Sequence, residues 1–276
     1  ANGSYLDNFL VIAPVAVTNS TFNYNNNHLA NEAGLFINSR GPVTLNGVSA
    51  RYNKGDGVGI KTRAPVTVRN SIVGNNEDWG LWAEVTVSPG SILVENTDSN
   101  NNGEDGFWFM TPGSITANTI RAVDNGSSGF NVPLNGATTV TITNSQFWVN
   151  DQHGVYVAPT SGFTGSTIGL SDNDLGGMFV HTRGNILLNY VVASYNSGGD
   201  GLYLDNAVTG GTGTITINGT LGVNELNNNG GNGLTALSYN TITLNTVFSH
   251  DNGGLGASLA NDYPLRTAGI IMVDNT

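Results

Sequence analysis

Residues that could do chemistry are sparse in this 276-residue chain. It holds nine Lys plus Arg against 20 Asp plus Glu, and Cys is absent. Thiol catalysis and disulfide staples are thereby excluded, and a net charge of −11 argues against a nucleic-acid partner. The four histidines, His28, His153, His181 and His250, are dispersed and show no zinc-binding spacing. Asp172-Asn173-Asp174 and Glu104-Asp105 carry the hard oxygens that calcium takes, but solvated acids are the plainer reading, and no metal or other cofactor is expected. The distinctive set is aromatic: Phe36, Trp82, Trp108, Tyr156, Phe179 and Tyr203. Flat rings at regular intervals suit stacking on the sugars of an extended glycan, or lateral contact with another subunit.

Such a set forms a surface only if the elements carrying it recur in register. Gly (38) and Asn (40) together exceed a quarter of the chain, and both are poor helix formers, which excludes a helical bundle. Gly does not recur every third residue, and a hydrophobic share of 38% supports a folded core, so collagen and disorder are excluded too. A pattern of Gly, apolar, any, apolar starts at Gly34, Gly57, Gly80, Gly106, Gly129, Gly154, Gly177, Gly201, Gly233 and Gly254. Most of its intervals lie near 23 residues. Within each repeat an alternating strand such as Val140-Thr-Ile runs into an Asn, giving the column Asn46, Asn70, Asn96, Asn118, Asn144, Asn189, Asn218 and Asn245, with Asn173 placed beside them. A further Asn follows a few residues on, as at Asn53, Asn76, Asn101, Asn125 and Asn150. Asn tolerates left-handed backbone and stacks amide on amide, so these columns predict sharp corners bearing a side-chain ladder. The longer intervals predict insertions at Asn100 to Asp105, Ala207 to Gly213, Asn227 to Asn232 and Ala260 to Thr267.

A unit this short buries its apolar side only by coiling against its neighbours. The Gly and Asn columns resemble those of right-handed parallel β-helices of the pectate-lyase-like superfamily, including parallel β-helix repeat surface proteins. The resemblance implies an all-β solenoid of about eleven coils, roughly 23 residues each, forming one domain over residues 1–276 with an Asn ladder at one corner. Enzymes on this fold place acids or bases on neighbouring coils of an exposed face. The outward positions here carry two acids, Glu84 and Asp205, about 24 Å apart at the usual strand spacing, whereas a two-carboxylate hydrolase needs about 5–9.5 Å. Asn96-Thr97-Asp98 resembles a polygalacturonase motif, but the Asp-Asp pair, Gly-His-Gly and Arg-x-Lys that go with it are absent, leaving only His153-Gly154. Resemblance to pectate lyases would imply an arginine base and a calcium cluster, and Arg121 and Arg183 stand isolated in the sequence. No catalytic residue and no enzyme are therefore expected.

Neither terminus reads as a solenoid cap. Joining Ile271, Val273 and Asn275 to Phe9, Leu10 and Ile12 would complete a further coil, which predicts uncapped ends that stack head to tail as a homopolymer. The leading expectation is a non-catalytic structural subunit of a filament, sheath or adhesive stalk, extracellular or at the cell surface. The alternative is a protein that binds or degrades an extracellular polysaccharide through the aromatic face. No stretch approaches the ~18 apolar residues of a membrane span, so membrane insertion is not expected.

Overall fold

The computed structural model describes residues 3–25, 33–134, 136–208, 210–261 and 271–274. It is a parallel β-solenoid. Eleven strands, from Ser4–Asn8 to Ala257–Ala260, stack in register as one face, so ten turns of chain separate the first from the last. A second face also stacks eleven strands, from Val15–Thr18 to Ile271–Asp274. A third face is made by short strands such as Ser49–Arg51 and Ile72–Gly74 and, in the middle coils, by the far half of long bent strands such as Thr139–Trp148. The bend in that strand falls at Asn144, whose φ is 51°. Left-handed backbone is cheapest for Asn among residues with a side chain, and the corner column exploits this.

The inward residues of the three faces meet in one continuous core. Phe107, Phe109, Phe130, Phe147 and Phe163 are fully buried, and the Phe130 and Phe147 rings meet edge to face with centroids 6.1 Å apart. The repeated glycine is demanded by the approach of adjacent coils. A Cβ at Gly129 would lie 2.8 Å from the carbonyl of Gly154 and 2.9 Å from Asn150 Nδ2. Neither neighbour can retreat without breaking its own hydrogen bonds.

Two Asn columns exist, and they differ in kind. The one that runs through the solenoid is buried: Asn25, Asn53, Asn76, Asn102, Asn125, Asn150, Asn173, Asn196, Asn229 and Asn252. Each amide nitrogen donates to the next amide oxygen at 2.8–3.0 Å, and each oxygen also accepts the preceding backbone N–H. Asn173 belongs to this ladder rather than to the outer column, and Asn102, not Asn101, is its member in that coil. Asn101 is the left-handed residue just before it, with φ at 56°.

The outer column named from sequence forms only short runs. Asn96 donates to Asn70 and Asn70 to Asn46, both at 2.7 Å, and Asn144 donates to Asn118 at 2.9 Å. The left-handed position is Asn70, Asn96 and Asn144 in some coils but Gly47, Thr119 and Thr246 in others. Asn46, Asn118 and Asn245 therefore precede the corner residue by one. Asn189, likewise one ahead of Tyr190, donates to Thr220 instead, and Asn218 offers only its carbonyl to Asn224.

The register also corrects the spacing. Leu234 pairs with Ala257, so the last repeat starts at Gly256 rather than Gly254, and its interval becomes the usual 23. The extra residues of the long coils fall at Val87 to Gly90, around Leu134, and at Ala207 to Gly213. All three lie on the corner between the first and second faces. A fourth insertion falls at Gly219 to Val223, where the expected ones at Asn100 to Asp105 and Asn227 to Asn232 do not appear. Residues 262–267 of the last expected insertion lie outside the described residues.

Candidate functional site

The corner between the first and second faces is shaped by one recurring device. A buried Ser or Thr ends or directly follows the first-face strand and accepts a backbone N–H two residues on. Ser39 does so from Gly41, Thr62 from Ala64, Thr111 from Gly113, Thr182 from Gly184 and Ser238 from Asn240, at 3.0–3.3 Å. The hydroxyl satisfies a corner amide, and the residue between hydroxyl and amide is left on the rim. That residue is Arg40, Arg63, Pro112, Arg183 or Tyr239.

In the later coils this corner holds a cleft of about 480 Å³, walled by Leu134, Pro159, Ala207 and Val208. His181, Arg183, Asp205 and Tyr239 converge on it. His181 ends the strand Gly176–His181, Asp205 ends Leu202–Asp205, and the register sets them side by side on adjacent coils. His181 Nδ1 lies 3.1 Å from Asp205 Oδ2, while Asp205 Oδ1 accepts the Ala207 N–H at 2.8 Å. The carboxylate is thus fixed at both oxygens. It holds the imidazole proton on Nδ1 and leaves the Nε2 lone pair available as a base. The inserted loop after Asp205 is tied back to the corner, with Thr212 N–H donating to the Arg183 carbonyl at 3.1 Å. Among the described residues no carboxylate pairs with the exposed Arg183 guanidinium.

In the sequence Asp205 is an outward acid, His181 one of four dispersed histidines and Arg183 an isolated arginine; the fold brings the three to one cleft. Glu84, the other outward acid, is remote from Asp205 and is bound to Lys61 at 3.0 Å. Arg121 is not isolated; it faces Asp98 of the Asn96-Thr97-Asp98 motif at 3.6 Å, away from the cleft. The signal for Arg183 and Tyr239 is the recurring Ser or Thr before them, which strand periodicity ignores.

The aromatic column is in register as expected, but its rings face one another. Tyr156 stacks on Phe179 at 5.0 Å and Phe179 on Tyr203 at 4.9 Å, with planes within 7°. Phe36 is only 9% exposed and meets Trp82 across Gly59, where a side chain would strike both rings. Trp108 leans on Trp79. The faces that a sugar would need are occupied by neighbouring rings, so the column offers mainly ring edges to solvent. His153 packs against Tyr156 and Phe179 with its Nδ1 buried.

Burial holds the His153 pKa below the ordinary 6.5, against an opposing hydrogen bond with the Gly176 backbone. The unfolded chain then binds more protons than the folded one below about pH 6.5, so this group withdraws stability as pH falls through that value. A His153→Gln variant should therefore lose less thermal stability than the native chain between neutral pH and about pH 5. Parallel melting curves across that range would show no divergence if His153 were not responsible.

Among the described residues no three His, Asp or Glu gather to hold a metal. Asn173 turns inward between Asp172 and Asp174, and Asp105 accepts from Ser128 N–H and Asn131 Nδ2 at 2.8 Å each. Of the residues expected to join molecules end to end, Leu10 and Ile12 are more than four-fifths exposed, Ile271 and Val273 are also exposed, and Phe9 lies under the Arg40 guanidinium. Asn275 lies outside the described residues. No described helix is long and apolar enough to cross a membrane.

Two solved structures resemble the chain. The Azotobacter vinelandii mannuronan C-5 epimerase AlgE6 A-module has a TM-score of 0.58 at 16% identity, covering 94% of this chain and 79% of its own. The periplasmic alginate epimerase AlgG has a TM-score of 0.40 at 13% identity, covering 87% of this chain and 70% of its own. No curated protein sequence matches. A family model described as the right-handed beta helix region matches residues 11–174, and with the stacked parallel coils above, it establishes that this chain belongs to the right-handed β-helix family.

Proposed function

We propose that the protein is an enzyme acting on a uronate-bearing polysaccharide outside the cytoplasm, at the cleft of His181, Arg183, Asp205 and Tyr239. The observation that carries this reading is the His181–Asp205 hydrogen bond, made in an open cleft beside an arginine that has no ion pair among the described residues. The fold shared with a module named for mannuronan epimerisation supports the same substrate class. These observations support the polysaccharide reading over a filament subunit, with the corner rather than the aromatic column as its proposed site.

The chemistry follows from the groups present. Arg183 pairs with the sugar carboxylate and stabilises the charge that builds on it when the neighbouring C5–H bond breaks. His181 Nε2 takes that proton as general base, and Asp205 stabilises the resulting imidazolium. Tyr239 supplies an acid from the next coil. Proton return to C5 on the opposite face inverts that centre. Loss of the C4 oxygen substituent instead leaves a C4–C5 double bond and breaks the chain.

Both outcomes begin with the same abstraction, so the test is deuterium incorporation at C5 of mannuronan incubated with the protein in heavy water. An Arg183→Ala variant should lower the rate by about 10²–10³, the usual effect of removing one donor to a developing oxyanion. Absence of exchange, of inversion and of an unsaturated product with the native chain would refute the assignment.

A further inference from the structure

The catalytic corner has a counterpart near the other end of the solenoid. Lys61-Thr62-Arg63 occupies the same place in its coil as His181-Thr182-Arg183, with the same buried hydroxyl turn. Asn38-Ser39-Arg40 repeats the turn one coil earlier, so Arg40 and Arg63 leave adjacent coils side by side. Phe9, Lys61, Arg63 and Val87 line a second cleft there, of about 320 Å³. The exposed Arg63 guanidinium has no ion pair among the described residues, and Arg40 Nε is buried without a hydrogen-bond partner. The acids on this part of the face are Asp7, whose Oδ1 accepts the Phe9 N–H, and Glu84, which Lys61 binds. Three cations thus face two acids in a protein whose net charge is −11.

Lys61 and His181 are five coils apart in one register column, about 24 Å at the usual strand spacing. Along the same corner Glu84 follows Lys61 in the column and is neutralised by it, and the rim and column positions beyond, Thr86, Met110, Pro112, Pro133, Ala158 and Pro159, carry no charge. An extended polymer laid along the solenoid axis would therefore meet cations at both ends and a neutral track between them.

We infer that Arg63, Lys61 and Arg40 form a distal subsite that holds carboxylates of the same uronate chain several sugars away from the one being processed. This rests on the function proposed above and adds to it a chain direction and a length requirement. Two linked contacts on one ligand raise affinity without altering either site, because the second forms at high effective concentration.

The test compares binding of a long mannuronan fraction with that of a short oligomer able to reach only the His181 cleft, using the native chain and a Lys61→Ala/Arg63→Ala variant. Both side chains are exposed, and circular dichroism checks that the coils persist. The native chain should bind the long fraction more tightly, and the variant should lose about tenfold of that advantage, the loss growing smaller in high salt. An affinity independent of length, or a variant that keeps the advantage, would overturn the subsite while leaving the His181 cleft in place. Failure of the native chain to bind either uronate ligand would overturn the functional assignment and the subsite together.

Discussion

A His181→Ala variant keeps the solenoid and loses turnover of a uronate polymer by about 10²–10⁴-fold, the range for removing a general base. The fold survives because His181 is an outward residue at a strand end, with about a third of its side chain exposed and no place in the core. The sharper partner experiment is Asp205→Asn. Asp205 accepts from both His181 and the Ala207 N–H. An amide keeps the volume and one acceptor but turns a donor toward the ring or the loop. The imidazole is then free to present its N–H, rather than its lone pair, to the sugar. Asp205→Asn should therefore cost on the order of 10²-fold or more in kcat, with little change in KM, because it alters the base and not the carboxylate contact. Arg183→Ala should instead weaken substrate binding as well as turnover. Equal activity of native and His181→Ala proteins in the C5 exchange assay would remove His181 from the mechanism.

The difference between what sequence shows about the fold and about the site follows from the solenoid itself. Gly106, Gly129 and Gly154 recur because each opposes a carbonyl of the next coil, and a hard steric demand leaves a visible column. Register is legible wherever alternation is strong, as in Val140-Thr-Ile. It slips at Gly254-Leu-Gly-Ala, where Gly256-Ala-Ser-Leu fits the same pattern two residues on and pairing with Leu234 decides. The outer Asn column slips by one residue for a related reason: Asn, Gly and Thr all serve at the left-handed corner, so residue type does not mark the position.

The site is less visible because its parts obey no strand period. His181 and Asp205 are adjacent only across coils, 24 residues apart in sequence. Arg183 and Tyr239 project from corners whose shape depends on Thr182 and Ser238, not on their own identity. The insertions that wall the cleft were counted from sequence as longer intervals, but interval length does not tell which corner holds the extra residues. The register does, and it gathers three of the four on the corner between the first and second faces.

Loss of one rung of the buried ladder should be the most damaging polar substitution in the chain. Asn125 makes four ladder contacts and one more. Its Nδ2 donates to Asn150 Oδ1 at 2.9 Å and to the Ser99 carbonyl at 3.2 Å, and its Oδ1 accepts from Asn102 Nδ2 at 2.9 Å and Asn102 N–H at 3.2 Å. Its own N–H donates to Asn150 Oδ1. Alanine keeps that last bond and strands the Asn102 N–H and one Asn102 amide proton, in a space too closed for water to replace the amide. At about 1–3 kcal/mol for each buried group left unpaired, the variant should lose roughly 2–6 kcal/mol. Asn125→Asp should do no better, since it replaces the donor to Asn150 with a second acceptor and buries a charge. Asn70→Gly is the control, since glycine keeps the left-handed backbone of that corner. Asn70 also bonds to an Asn above and below, but in the open, where water takes over both contacts, so the change should stay within about 0.5 kcal/mol. Urea unfolding followed by circular dichroism reads all three midpoints. Similar losses at Asn125 and Asn70 would mean that the buried ladder is no more than an ornament of the corner. A loss confined to Asn125 and its neighbours would instead show that the coils are held together there, since in a solenoid each coil is stabilised mainly by the two it touches.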